Sequence, residues 1–163
     1  MASWSGAPGV FQRPATATAE MVVIGFTGTR KGATEAQLRV ARALLVMYHD
    51  PAEEDWLHHG DAIGADEQIH AIAKELGYQV AAHPCPLNDQ RAFCDADVVH
   101  PPKPPLMRNR DIVIACEHLL ATPFEAHYRH RSGTWWTIHY AINQHKPVTI
   151  IQPNGLIRLG NRQ

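Results

Sequence analysis

Four short stretches gather the residues of this chain that can hold an anion or move a proton. In "GFTGTRKG", Gly28, Thr29 and Arg30 form a turn in which glycine lets backbone N–H groups approach a phosphate and arginine can fork onto its oxygens. In "HGDAIGAD", Gly60 and Gly64 frame a second turn, and Asp61 and Asp66 offer carboxylates to ribose hydroxyls. Asp66 suits the first turn of a helix equally well, because the helix dipole favours an acid there. In "LMRNRD", Arg108, Asn109 and Arg110 stand where a helix begins. Two arginines at that end oppose the dipole, a conflict that a bound anion would relieve. In "RHRSGT", the hydroxyls of Ser132 and Thr134 and the N–H groups after Gly133 make a phosphate cradle, although Ser132 would also serve as an ordinary helix cap. Glu125, His127, Arg129, His130 and Arg131 crowd just upstream.

Other chemistries find little support. No Ser-His-Asp or Cys-His arrangement is legible, so nucleophilic catalysis has no visible machinery. If the site does chemistry, its candidates are Arg108, Glu125 and Asp66. His58 and His59 are neighbours and, on a strand, face opposite sides, so they do not share one metal ion. Cys85, Cys94 and Cys116 lack metal-type spacing and are odd in number, which fits a reducing cytoplasm better than a disulfide framework. Neither a metal nor a cofactor is expected.

The elements that must position these stretches follow from pattern. "MVVIGFTG" is an apolar run ending at glycine, as a buried parallel strand reads. "TEAQLRVARALLVMYH" places Leu38, Ala41, Leu45 and Tyr48 on one helical face, with Thr34 as the cap. Strand "DWLHHG", helix "ADEQIHAIAKELG" and strand "YQVAAH" come next. An irregular, proline-rich stretch from Pro84 to Leu106 separates them from helix "MRNRDIVIAC", strand "HLLATP", helix "GTWWTIHYAINQ" and strand "KPVTIIQP". Strands alternating with helices predict an α/β, Rossmann-like three-layer domain with a mostly parallel sheet. All four candidate stretches then fall at the strand carboxyl ends, where such sheets bind ligands. Domain bounds read as a leader over 1–20, the folded domain over 21–155 and a tail over 156–163. The Pro84–Leu106 stretch reads as a wall or lid of the site, with Asn88, Asp89, Arg91 and Asp95 as polar contacts.

At 163 residues with 45% hydrophobic residues, the chain can build one core. The net charge of -1 argues against a nucleic-acid or anionic-membrane partner, and no apolar run is long enough to span a bilayer.

The order "VVIGFTGTR", "HHGDAIGADEQIHAIAKELG", "MRNRDIV" and "SGTWWTIHYA…KPVTII" resembles the SLOG superfamily, in its YspA-like stand-alone branch, from about Met21 to Pro153. The superfamily includes the Lonely Guy phosphoribohydrolases, sensor domains for nucleotide signals, and the core of DNA-processing protein A. The resemblance implies a nucleotide or phosphoribosyl site at the strand ends. Arg108 would match the arginine of the phosphoribohydrolase Arg-Lys motif, with Asn109 in place of lysine, and Gly133 and Thr134 would match its Gly-Thr. The acid–base glutamates of those enzymes fall on Trp136 and Thr137, which carry no proton at neutral pH. Binding of a nucleotide-derived small molecule is therefore expected ahead of N-glycosidic hydrolysis. A homodimer is expected too, because one of the adjacent Trp135 and Trp136 must face outward from a helix.

Overall fold

The run Val23–Gly28 becomes the central strand β1 because helices cover both of its faces. The computed structural model describes residues 21–160, so the leader expected over 1–20 lies outside the described residues. After β1 come α1 (Glu35–Tyr48), β2 (Trp56–His59), α2 (Ala65–Leu76), β3 (Gln79–Ala82), a 3-10 turn (Asn88–Gln90), β4 (Val98–Val99) and α3 (Pro105–Ala115). They are followed by β5 (His118–Thr122), α4 (Gly133–Asn143), β6 (Val148–Ile151) and β7 (Ile157–Gly160). The sheet runs β4-β3-β2-β1-β5-β6-β7, parallel throughout except for β7, which lies antiparallel to β6. This is the expected Rossmann-like three-layer architecture. Strand order reverses between β1 and β5, which opens a crevice at their carboxyl ends.

Strand alternation divides the core in two. Ile24, Phe26 and Leu120 meet Ala41, Leu44, Leu45 and Tyr48 of α1 and Ile69 and Ala73 of α2. Leu119 and Ala121 point the other way, onto Ile112 and Val113 of α3 and Trp135 and Ile138 of α4. Thr34 caps α1 in a full capping box with Gln37. Gln37, which the apolar pattern passes over, is buried, and its amide donates to the carbonyls of Pro123 and Ile151 at 2.8 and 2.9 Å. It thereby anchors the loop that leaves β5 towards the crevice.

Two strands depart from the sequence reading. β4 lies inside the stretch expected to be irregular, and its two exposed valines carry no core pattern to announce it. β7 occupies the expected tail 156–163, because Asn154-Gly155 closes a hairpin that returns Ile157 and Leu159 to the core. No helix among the described residues is long and apolar enough to cross a membrane.

Candidate functional site

A cleft of about 500 Å³ opens at the carboxyl ends of β1 and β5. Gly28, Thr29, Arg30, Gly60, Asp66, Arg108, Asn109, Glu125, Ser132, Gly133 and Thr134 all line it. Residues up to about a hundred positions apart in sequence thus meet at one crevice. Five basic side chains face it, from Arg30, Lys31, Arg108, Arg129 and Arg131, against the two acids Asp66 and Glu125. A chain of net charge -1 has concentrated its positive charge there.

The floor is built around Arg108. It sits on the fourth residue of α3, is 9% exposed, and donates from Nη1 to the Gly60 carbonyl and, at 3.0 Å, to the His83 carbonyl. Its Nε donates to Asn109 Oδ1 at 2.6 Å. Carbonyl oxygens therefore already offset part of its conflict with the helix dipole. Of the five guanidinium hydrogens, the two on Nη2 have no partner among the described residues. Gly60 makes this packing possible: a Cβ there would stand 2.7 Å from Arg108 Nη1 and 2.9 Å from Asp66 Oδ2.

Asp66 lies in the first turn of α2, but its carboxylate reaches back to the N–H groups of Gly60 (3.1 Å) and Ala62 (3.2 Å). Burial lifts its pKa from 3.8 to about 6, against the opposing pull of the Arg108 charge and of those two N–H groups. The fold therefore prefers the protonated acid. This contribution to stability is whole below the unfolded pKa of 3.8 and is lost as pH rises through about 6. Asp66→Asn should consequently gain on the wild type by about 2 kcal/mol between about pH 4.5 and about pH 7.5. Urea unfolding of both proteins at the two pH values checks this, and a constant difference would refute it.

The upper wall is the start of α4. Ser132 Oγ accepts from the Trp135 N–H at 3.2 Å, so the capping role is real. The first-turn N–H groups of Gly133 and Thr134 have no acceptor among the described residues, and a Cβ on Gly133 would meet nothing within 4 Å. Lys31 Nζ lies 4.1 Å above the Phe124 ring, which joins the first loop to the loop leaving β5. Trp136 and Thr137 do not line this cleft. Trp136 stacks on Tyr140 at 5.3 Å, and the buried Thr137 hydroxyl donates to the Gly133 carbonyl.

Two sequence expectations are corrected. Asp61 does not face the cleft: its buried carboxylate holds Arg91 at 2.8 Å and accepts the Cys94 N–H, because a residue at φ 53 turns its side chain towards the following loop. Gly64 also stays out of the lining. At φ 90 it packs against the backbone of Thr29 and Arg30, and the Ala65 N–H donates to the Thr29 carbonyl at 3.0 Å. The Pro84–Leu106 stretch contributes Gln90, Pro105 and Leu106 to the cleft. It is a wall tied down by Asp61 and by the Ile63 N–H to the Gln90 carbonyl, with Arg91 spent on Asp61 and not available as a contact. Arg110, grouped with Arg108 by sequence, lies over Tyr140 instead.

Sequence reasoning missed the aromatic neighbour Phe124 and two histidine groupings. His58 meets His83 and His100, while His59 meets His70 and Cys94. The signal was present in "AAHPC" and "VVHPP", two strand ends that each finish on His-Pro.

No family model matches the chain, and no curated protein matches it. Several solved structures do. A molybdenum cofactor binding protein from the phototrophic bacterium Rippkaea orientalis matches with a TM-score of 0.64 at 20% identity, over 82% of this chain and 77% of that one. The molybdenum cofactor carrier protein of Chlamydomonas reinhardtii matches with a TM-score of 0.60 at 19% identity, over 79% of this chain and 76% of that one. DNA processing protein A from Streptococcus pneumoniae matches with a TM-score of 0.60 at 18% identity, over 80% of this chain and 50% of that one. At such identities the likeness is one of fold, the mostly parallel Rossmann-like α/β architecture expected from the sequence.

Proposed function

We propose that this chain is a member of the SLOG superfamily and binds a nucleotide or nucleotide-derived small molecule, of the NAD or cyclic-nucleotide type, as a sensor or sequestering protein. One observation carries the reading. The open amino end of α4, at Gly133 and Thr134, borders a cleft lined by Arg30, Lys31, Arg129 and Arg131, and the resemblance to the phosphoribohydrolases would put Trp136 and Thr137 at the places of their glutamates. Unpaired N–H groups at a helix start, with basic side chains around them, suit a phosphate. Two fold neighbours are described as binding or carrying a molybdenum cofactor, which supports a small-molecule ligand held without conversion.

A specific feature favours a second reading, N-glycosidic hydrolysis of a nucleoside monophosphate. Asp66, with its pKa near 6, has the tuning of a general acid–base group and lines the same cleft. A nucleotide panel followed by thermal shift and by chromatography separates the two. A raised melting temperature with intact nucleotide supports binding, and released base supports hydrolysis. Gly133→Glu should abolish the shift by placing a carboxylate at the α4 entrance, while Gly133→Ala, whose methyl meets nothing, should fold as the wild type does. Equal shifts in wild type and Gly133→Glu would sink the site. A single-stranded oligonucleotide belongs in the panel, and no binding is expected from a chain of net charge -1. Light scattering on the same sample should show a dimer formed through α3 and α4, where Met107 and Ile114 are exposed and Trp136 faces away from the core.

A further inference from the structure

Three imidazoles from three neighbouring strand ends converge beside the site without forming part of it. His58 is in β2, His83 directly follows β3 and His100 directly follows β4. His58 Nδ1 and His83 Nε2 face each other at 2.8 Å, and one ring nitrogen from each of the three residues lies within 4.8 Å of the others. We propose that His58, His83 and His100 form a binding site for a divalent transition-metal ion of the zinc, cobalt or copper type, leaving its fourth position to water.

The backbone holds the three ligands in place before any ion arrives. The His83 N–H donates to the His59 carbonyl at 2.8 Å, and the His100 N–H donates to the Ala82 carbonyl at 2.9 Å. His83 and His100 each precede a proline, which keeps both in extended backbone. A tetrahedral zinc ion with Zn–N bonds of about 2.0–2.1 Å spaces its imidazole nitrogens about 3.3 Å apart, so the His58–His83 pair needs to open by only ~0.5 Å. His100 stacks on His83 with centroids 4.2 Å apart and planes 14° from parallel. It is half-buried, makes no side-chain hydrogen bond among the described residues, and reaches a shared ion by side-chain rotation alone. The facing nitrogens of His58 and His83 now share one hydrogen. With an ion bound, the ring that donated this hydrogen moves its proton to its far nitrogen, His58 Nε2 or His83 Nδ1, so each imidazole stays neutral and no proton is released. Burial and neighbouring imidazoles push His58 down to about 4 and His83 down to about 3, so both rings are neutral and have lone pairs to give at neutral pH. Three imidazoles with no thiolate or carboxylate suit borderline metals and not calcium or magnesium.

The neighbouring group of His59, His70 and Cys94 shows what a non-site looks like. The Asp61 N–H donates to His59 Nδ1 at 2.9 Å, which fixes the ring proton on Nε2, the atom that faces His70 at 3.0 Å. That nitrogen has no lone pair to offer. Burial and the Asp61 carboxylate push the Cys94 thiol up to about 12, so no thiolate is at hand.

Cobalt(II) titration of the whole chain near neutral pH, followed by its visible d–d band and by calorimetry, tests the site. One equivalent with a tetrahedral band is expected in the wild type. His100→Ala should lose at least ~10-fold in affinity, and His58→Ala with His100→Ala should lose the band, both with unchanged far-ultraviolet circular dichroism. Cys94→Ser and His127→Ala with His130→Ala should bind as the wild type does. No band in the wild type, a band that survives in the double variant, or a band lost in either control overturns the proposal. Nucleotide binding is read separately, so this site can fail while the cleft reading stands.

Discussion

Replacing Arg108 with alanine should destabilise the fold by about 3–5 kcal/mol, as breaking a buried charged network does. The substitution strands two buried carbonyls, Gly60 and His83, and removes the Arg108 charge that draws on Asp66. Through the same cleft it should weaken nucleotide binding by ~1.5–3 kcal/mol, the range for a charged hydrogen bond, if Nη2 reaches the ligand. Arg108→Lys separates the two effects. A lysine keeps the charge, but its single nitrogen cannot stand at both the Nη1 and Nη2 positions, so it should fold at reduced stability and still bind weakly. Urea unfolding with titration calorimetry on both variants checks this. A loss of less than about 1 kcal/mol for the alanine variant would mean that Arg108 is not the floor of the cleft.

Gly64→Val should be nearly as damaging, roughly 4 kcal/mol or more, although Gly64 does not line the cleft. A Cβ there would stand 2.4 Å from the Arg30 carbonyl oxygen, and the φ of 90 strains any β-branched residue. Both costs act on the contact that holds the Arg30 turn against the start of α2. Chemical denaturation measures the loss. A variant as stable as the wild type would show that the two turns are not held together there.

The α/β class, the strand-end location and most cleft residues were legible because they rest on patterns local to one element. The apolar run at β1, the capping residues Thr34 and Ser132, and the glycine turns each have a local physical signature. What escaped depends on tertiary partners. Asp61 and Asp66 stand five residues apart in one turn, yet one braces a loop and the other lines the cleft. Only the left-handed backbone at Asp61 separates them, and an aspartate gives little notice of it. The hydrogen bonds of Arg108 were hidden too, because the carbonyls that accept them, of Gly60 and His83, follow β2 and β3 and are distant in sequence. β4 was invisible for a simpler reason: two exposed residues carry no periodicity.

That short strand bears on how the protein behaves at high concentration. An open sheet has two borders, and each row of unpaired backbone groups along a border can template another chain into fibril-like growth. Here one border is β4, two residues long and followed by His-Pro-Pro-Lys-Pro-Pro, whose four prolines offer no N–H to an incoming strand. Val98 and Val99 are sticky and exposed, but the run is too brief for an ordered zipper of about six residues. The other border, β7, is four residues long, carries Arg158 and ends in glycine. Both margins of the sheet are thus built to stop propagation, and the chain can present two exposed valines without recruiting copies of itself edge to edge.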